Sequence, residues 1–237
     1  MTFIIIKKQW FFLALFLIAI VMGILLFFAF HRRAIETSLP STTRVVVIDP
    51  GHGGIDPGAV GGNGILEKNI NLSIALYLRE YLEKRGSVVI MTRDEDIGLY
   101  SQSGTIRNKK NEDLRNRKTI VKNSKGDLFV SIHLNSFGQS RYYGAQTFYP
   151  ADNPPGKELA KIMQEELVNT LDKNNQRVPL SNSSIYLIKG LEIPTVLVEC
   201  GFLSNPNEKL KLNNSEYQKK VAWAIYIAIQ RYFLETE

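Results

Sequence analysis

The chain has 237 residues with 29 basic and 23 acidic side chains, a formal net charge of +6, and a single cysteine. Lys7, Lys8, Arg32 and Arg33 flank an apolar N-terminal run, and without residues 1–33 the balance is 25 basic to 23 acidic, a net charge of +2 that removes the broad positive footprint of a nucleic-acid-binding protein. The lone Cys200 excludes an internal disulfide and a cysteine-based zinc knuckle.

Trp10 to Phe30 runs for 21 residues without a charge, long enough to cross a bilayer as a helix. The run closes on Phe28-Ala29-Phe30-His31-Arg32-Arg33 without a clear small-residue cleavage site, so residues 1–33 read as an uncleaved signal-anchor in preference to a cleaved signal peptide. Basic residues at both ends leave the charge rule for orientation nearly tied. Residues 34–44, with Ser, Thr and Pro40, read as a tether, and residues 45–237 as one domain with a full core.

Val45 to Ile48 is a β-branched run suited to a strand buried on both faces, and it stops at Asp49-Pro50-Gly51. Glu67 to Lys84 places Ile70, Ile74, Leu78 and Tyr81 at helical spacing, with Gly86 as the stop. Val88 to Met91 predicts a second strand. Residues 93–112 are polar and read as a surface loop, followed by a helix over Leu114–Val121. Leu128–His133 predicts a third strand, Tyr143–Tyr149 a fourth, and Lys157–Leu171 an amphipathic helix. Ile185–Ile188 and Thr195–Val198 predict two further short strands, and Val221, Ile225, Ala228, Ile229 and Tyr232 the apolar stripe of a closing helix. The order implies an α/β domain: a twisted, mostly parallel or mixed sheet flanked by helices on both faces, with its site beyond the carboxyl ends of the strands.

Ionisable residues at those strand exits form a short list: Asp49 and His52 after the first strand, His133 at the end of the third, Glu199 at the end of the Thr195 strand, and Glu67 opening the first long helix. Either histidine alone reads as a hydrogen-bonded rim residue. Both together, with two glutamates converging, read as a metal set, because a catalytic zinc site takes three ligands from His, Asp and Glu and keeps one position open. His52, Glu67 and His133 supply such a set, although their wide spacing makes no local motif.

The local sequences carry a resemblance. Asp49 to Gly54 (Asp-Pro-Gly-His-Gly-Gly), Gly64 to Leu72 (Gly-x-x-Glu-Lys-x-x-x-Leu), Ser131 to Asn135 (Ser-x-His-x-Asn) and Val198 to Asn205 (Val-Glu-x-Gly-Phe-x-Ser-Asn) stand in the order in which they occur in the family 3 N-acetylmuramoyl-L-alanine amidases. The resemblance spans Val45 to the C-terminus. It implies zinc on His52, Glu67 and His133, Glu199 as the catalytic carboxylate, and cleavage of the bond between muramic acid and L-alanine in peptidoglycan. A compact domain without wall-binding repeats is most similar to the germination-specific amidases, which act on spore cortex ahead of muramic-lactam formation. An activating protein partner fits the same picture.

Two departures from the family pattern stand out. The Leu-x-x-Arg pair, here Leu114 and Arg117, follows Arg93 only after about twenty residues, and Cys200 directly follows Glu199. Cys200 reads as a small buried residue, since both histidines that could activate it are better used as ligands. Asp49, Arg117 and Asn135 read equally as supports of the site or as turn and surface residues. A zinc peptidase acting within the stem and a non-catalytic wall-binding module remain as alternative functions.

Overall fold

The computed structural model describes Leu17, residues 19–23 and residues 43–236. The chain divides into two compact units, Met1–Thr43 and Arg44–Glu237. In the first, Leu17 and residues 19–23 are helical and exposed, and the rest of the anchor and tether expected over residues 1–44 lies outside the described residues apart from Thr43 and Arg44. Among the described residues, no helix is long and apolar enough to cross a membrane.

The second unit carries six strands: β1 (Val45–Pro50), β2 (Val88–Met91), β3 (Leu128–Asn135), β4 (Gln146–Tyr149), β5 (Leu180–Ser181) and β6 (Thr195–Phe202). They form one sheet in the order β2-β1-β3-β6-β4-β5. The β2-β1-β3-β6 half is parallel, β4 runs antiparallel to β6, and β5 pairs parallel with β4, so the sheet is mixed. Five helices accompany it: α1 (Glu67–Glu83), α2 (Ile106–Asn123), α3 (Pro154–Leu171), α4 (Pro206–Leu212) and α5 (Ser215–Glu235).

Strand alternation sorts the side chains onto two faces. Val46, Ile48, Val130, Ile132, Val196 and Val198 enter the larger core beneath α1, α3 and α5. Val47, Phe129 and Leu197 point the other way and are covered by Val121 of α2 together with Leu187, Ile188 and Leu191. Each side chain buried as fully as Phe129 contributes roughly 1.5–3 kcal/mol. By the same alternation Asp49, Ser131, His133, Glu199 and Gln146 belong to this second face, beyond the point where α2 and the 185–191 segment stop covering it.

Three expectations are corrected. Ile185–Ile188 is a chain of turns, with Lys189 N–H donating to Ile185 O. Its apolar side chains cap the second core instead of joining the sheet, and Lys118 Nζ satisfies the carbonyls of Tyr186 and Lys189 at 2.9 and 2.6 Å. The expected 93–112 loop ends early, because α2 begins at Ile106. Thr105 caps it by accepting from Asn108 N at 3.3 Å. Its first two turns bury no apolar residue, and Ile106 itself is 67% exposed, so hydrophobic periodicity had nothing to register there. The expected strand over Tyr143–Tyr149 forms only from Gln146, and the short β5 and α4 carried no signal that was read.

Candidate active site

His52 follows β1 in a loop whose backbone must turn sharply. Its own φ is +64°, a strained value for a non-glycine residue, and the loop is held there by two buried arginines. Arg93 donates to Pro50 O at 2.9 Å and to Gly51 O at 3.0 Å. Arg117 donates to Pro50 O at 2.8 Å and to His52 O at 2.6 Å. Five fixed donors on a planar fork suit a guanidinium to this work.

Arg117 is itself locked by two carboxylates. Asp49, fully buried, accepts from Arg117 Nη1 at 2.8 Å, from Thr92 Oγ1 at 2.6 Å and from Ser131 Oγ at 2.7 Å. Burial pushes the Asp49 carboxyl up, but the Arg117 charge and the two hydroxyls win and hold it below the usual carboxylate range. Asp113 accepts from Arg117 Nε at 2.6 Å and also from Leu99 N at 2.6 Å. Asp49 and Arg117 are therefore the buried frame of the His52 loop.

Glu67, at the first position of α1, turns its carboxylate into the space between the two histidines. Its Oε1 lies 3.2 Å from His52 Nε2 and 3.1 Å from His133 Nδ1, and accepts from Leu134 N at 2.9 Å and Asn71 Nδ2 at 3.1 Å, while Oε2 accepts from Ala59 N at 2.8 Å. Ligand atoms of His52, Glu67 and His133 all lie within 4.8 Å of one another, with the two rings edge-to-face. Two glycines keep the space open: a Cβ on Gly51 would fall 2.2 Å from the His133 ring, and one on Gly58 would fall 2.6 Å from Glu67 Oε2.

Electrostatics mark the cluster as short of a cation. Burial lowers the His52 pKa, but hydrogen bonds to Asp56 and Glu67 outweigh it and carry the imidazole up to about 9. The two imidazoles conversely pull Glu67 far below its ordinary value against the cost of burial. Two imidazoles and one carboxylate on a common point, with Glu67 held ionised, are the donor set of a divalent transition-metal site.

Glu199 stands opposite His133 on the adjacent strand β6 and shares its face. Its Oε2 is buried without a hydrogen-bond partner, and burial, reinforced by the Glu67 charge and opposed by His133 and His52, lifts its pKa to about 7. Cys200 points to the other face, buried, with its thiol pushed up by burial and by the Glu199 charge, which suits a packing residue and not a nucleophile.

The sequence reading missed Asp56. Its Oδ2 lies 2.8 Å from His52 Nδ1, turning Nε2 toward Glu67, and its Oδ1 pairs with Lys110 Nζ at 2.7 Å. The polar segment after Arg93 grips the same loop elsewhere: Asp96 Oδ1 accepts from Gly54 N at 3.0 Å and Tyr100 Oη from Ile55 N at 2.9 Å. The i, i+4 spacing of His52 and Asp56 was the available hint.

A carboxylate poised near neutrality beside a His-Glu-His donor set, at the carboxyl ends of the strands of an α/β sheet, is the equipment of a hydrolase. The N-acetylmuramoyl-L-alanine amidase family profile matches residues 46–231. The germination-specific N-acetylmuramoyl-L-alanine amidase of Bacillus subtilis (strain 168) is 42% identical over 200 residues, which cover 84% of this chain and 83% of that protein. Of solved structures, the CwlD amidase from Clostridioides difficile in complex with the GerS lipoprotein is 52% identical at a TM-score of 0.80, covering 82% of this chain and 100% of that one. The N-acetylmuramoyl-L-alanine amidase from Clostridium difficile 630 is 31% identical at a TM-score of 0.72, covering 83% and 100%.

The chain belongs to the N-acetylmuramoyl-L-alanine amidase family. Its reaction is hydrolysis of the amide bond between N-acetylmuramic acid and L-alanine in peptidoglycan. That polymer lies outside the cytoplasmic membrane, and the enzyme works there.

Proposed function

We propose that the enzyme is zinc-dependent, with His52, Glu67 and His133 as the metal ligands and Glu199 as the catalytic carboxylate, and that it acts on spore-cortex peptidoglycan. The observation that carries the site assignment is the pairing of a convergent His-Glu-His cluster with the unpartnered, buried Oε2 of Glu199 one strand away. The names of the Bacillus subtilis and Clostridioides difficile relatives support the cortex as substrate. A protein partner belongs to the same reading, supported by the lipoprotein complex in which the Clostridioides difficile relative was solved. The uncharged run from Trp10 to Phe30 supports residues 1–33 as the element that keeps the domain at the membrane.

When bound, zinc supplies Lewis acidity, polarising a carbonyl and acidifying a water. The protein's own groups do the rest. Asp56 fixes the His52 ring and Glu67 is fixed by Ala59 N and Leu134 N, so these side chains are held in place for the metal. Glu199 takes a proton from the attacking water and then delivers it to the alanine nitrogen as the C–N bond breaks, and a pKa of about 7 suits both halves of that transfer.

The test is Glu199→Gln. Metal content measured by atomic absorption should match the wild type, while release of stems bearing a new L-alanine amino terminus, read by mass spectrometry, should fall about 10²–10⁴-fold. Release at the wild-type rate would remove Glu199 from the mechanism.

A further inference from the structure

Glu199 has a second neighbour on the strand opposite β3. Gln146 of β4 is its antiparallel partner, so the two side chains share a face with Cβ atoms about 4.5–5.5 Å apart. Gln146 Oε1 accepts from Arg177 Nη1 at 2.7 Å, Arg177 Nε donates to Tyr143 O at 2.7 Å, and the guanidinium lies 4.4 Å from the centroid of the Phe202 ring. Three contacts thus hold one arginine rigid beside the catalytic strand. Among the described residues its Nη2 makes no hydrogen bond. Glu208, the acid whose charge it feels, is occupied by Phe202 N at 2.7 Å and Gly144 N at 3.0 Å. Arg177 also lines a cavity of about 240 Å³ with Arg141, Tyr142 and Tyr143.

A half-buried guanidinium fixed in place with a donor to spare is built to receive a carboxylate. We infer that Arg177, oriented by Gln146, forms an anion subsite that binds the α-carboxylate of the second stem residue next to the scissile alanine amide. Gln146 makes the link: it is the register partner of Glu199 and its Oε1 is the acceptor for Arg177, so the guanidinium stands one side chain away from Glu199. In peptidoglycan that residue is D-glutamate linked through its γ-carboxyl, and its α-carboxylate is either free or amidated. The subsite therefore distinguishes the two chemical forms of the wall.

This inference rests on the amidase reading, and the experiment separates the two. Soluble glycan-peptide fragments identical except for D-glutamate or D-isoglutamine at the second position are compared by product release. The wild type should prefer the free carboxylate by about tenfold in kcat/KM, expressed mainly in KM. Arg177→Met should raise KM for the acidic fragment and bring the preference ratio near one, and Arg177→Lys should retain an intermediate ratio. Equal use of both fragments by the wild type, which requires no variant to fold, overturns the subsite alone. A preference that survives in Arg177→Met also overturns it, since a purely structural arginine would lower both rates together. Release of no stem from either fragment overturns the underlying reading and the subsite with it.

Discussion

Replacing Arg117 by Met would test the frame beneath the His52 loop. The side chain is 1% exposed and its charge is matched by Asp49, itself fully buried, at 2.8 Å. Methionine fills similar volume but leaves Asp49 with only Thr92 and Ser131, strands the carbonyl of His52 and leaves Pro50 O with Arg93 alone. Removing one partner of a buried pair costs about 3–5 kcal/mol, and for a domain of this size each kcal/mol lowers the melting temperature by about 2–4 °C, so a drop of about 6–20 °C is expected. Urea denaturation at several pH values provides the sign. In the wild type Asp49 is depressed below its ordinary value, so its contribution is present above the unfolded pKa of about 3.9 and is lost as pH falls through the lower folded value. Without Arg117 the burial penalty dominates, the Asp49 pKa rises above its unfolded value, and folding is helped by protonation. The deficit of the variant should accordingly shrink as pH falls from 7 toward 4. A loss under about 1 kcal/mol, or a deficit that grows with acidity, would refute this account of the loop.

Two further predictions concern the metal. Asp56→Ala should weaken zinc binding about 10–100-fold in chelator competition because His52 loses the partner that orients it, and Lys110→Met should weaken it less; unchanged affinity in both would remove the Lys110–Asp56–His52 chain from the site's support. Since the metal-free His52 titrates near 9 and zinc takes the neutral ring, binding at pH 7 should release close to one proton, with affinity falling as pH drops below about 9. Calorimetry in buffers of different ionisation enthalpy measures this, and binding without proton release would contradict the assigned charge state.

Much of the fold was legible because burial leaves a pattern. Val45–Ile48, Leu128–His133 and the Ile70-Ile74-Leu78 stripe are apolar at the spacing of their elements, and the ionisable residues near the strand ends, together with the local sequences around them, pointed to the His-Glu-His cluster. What failed to show was of two kinds. The first turns of α2 are polar apart from the exposed Ile106, stabilised by a threonine cap and by contacts to a distant loop, while Ile185–Ile188 is apolar for the sake of covering a sheet it does not join. The supporting residues reach the site by long side chains across the topology: Arg117 meets Asp49 over 68 positions, Arg177 meets Gln146 over 31, and no local periodicity encodes either meeting. Asp49 and Arg117 could be read as turn and surface residues until their burial was seen.

Under the proposed assignment, the pairing of His133 with Glu199 across two neighbouring strands ties catalysis to the sheet itself. Strands lie about 4.8 Å apart wherever a sheet forms, so the gap between the two side chains is set by backbone hydrogen bonding. Adding or deleting one residue between Thr195 and Glu199 would shift the reading frame of β6, swing the glutamate into the oily interior and bring an apolar neighbour to the reaction. The count of residues in that strand is therefore as constrained as the identity of Glu199 itself.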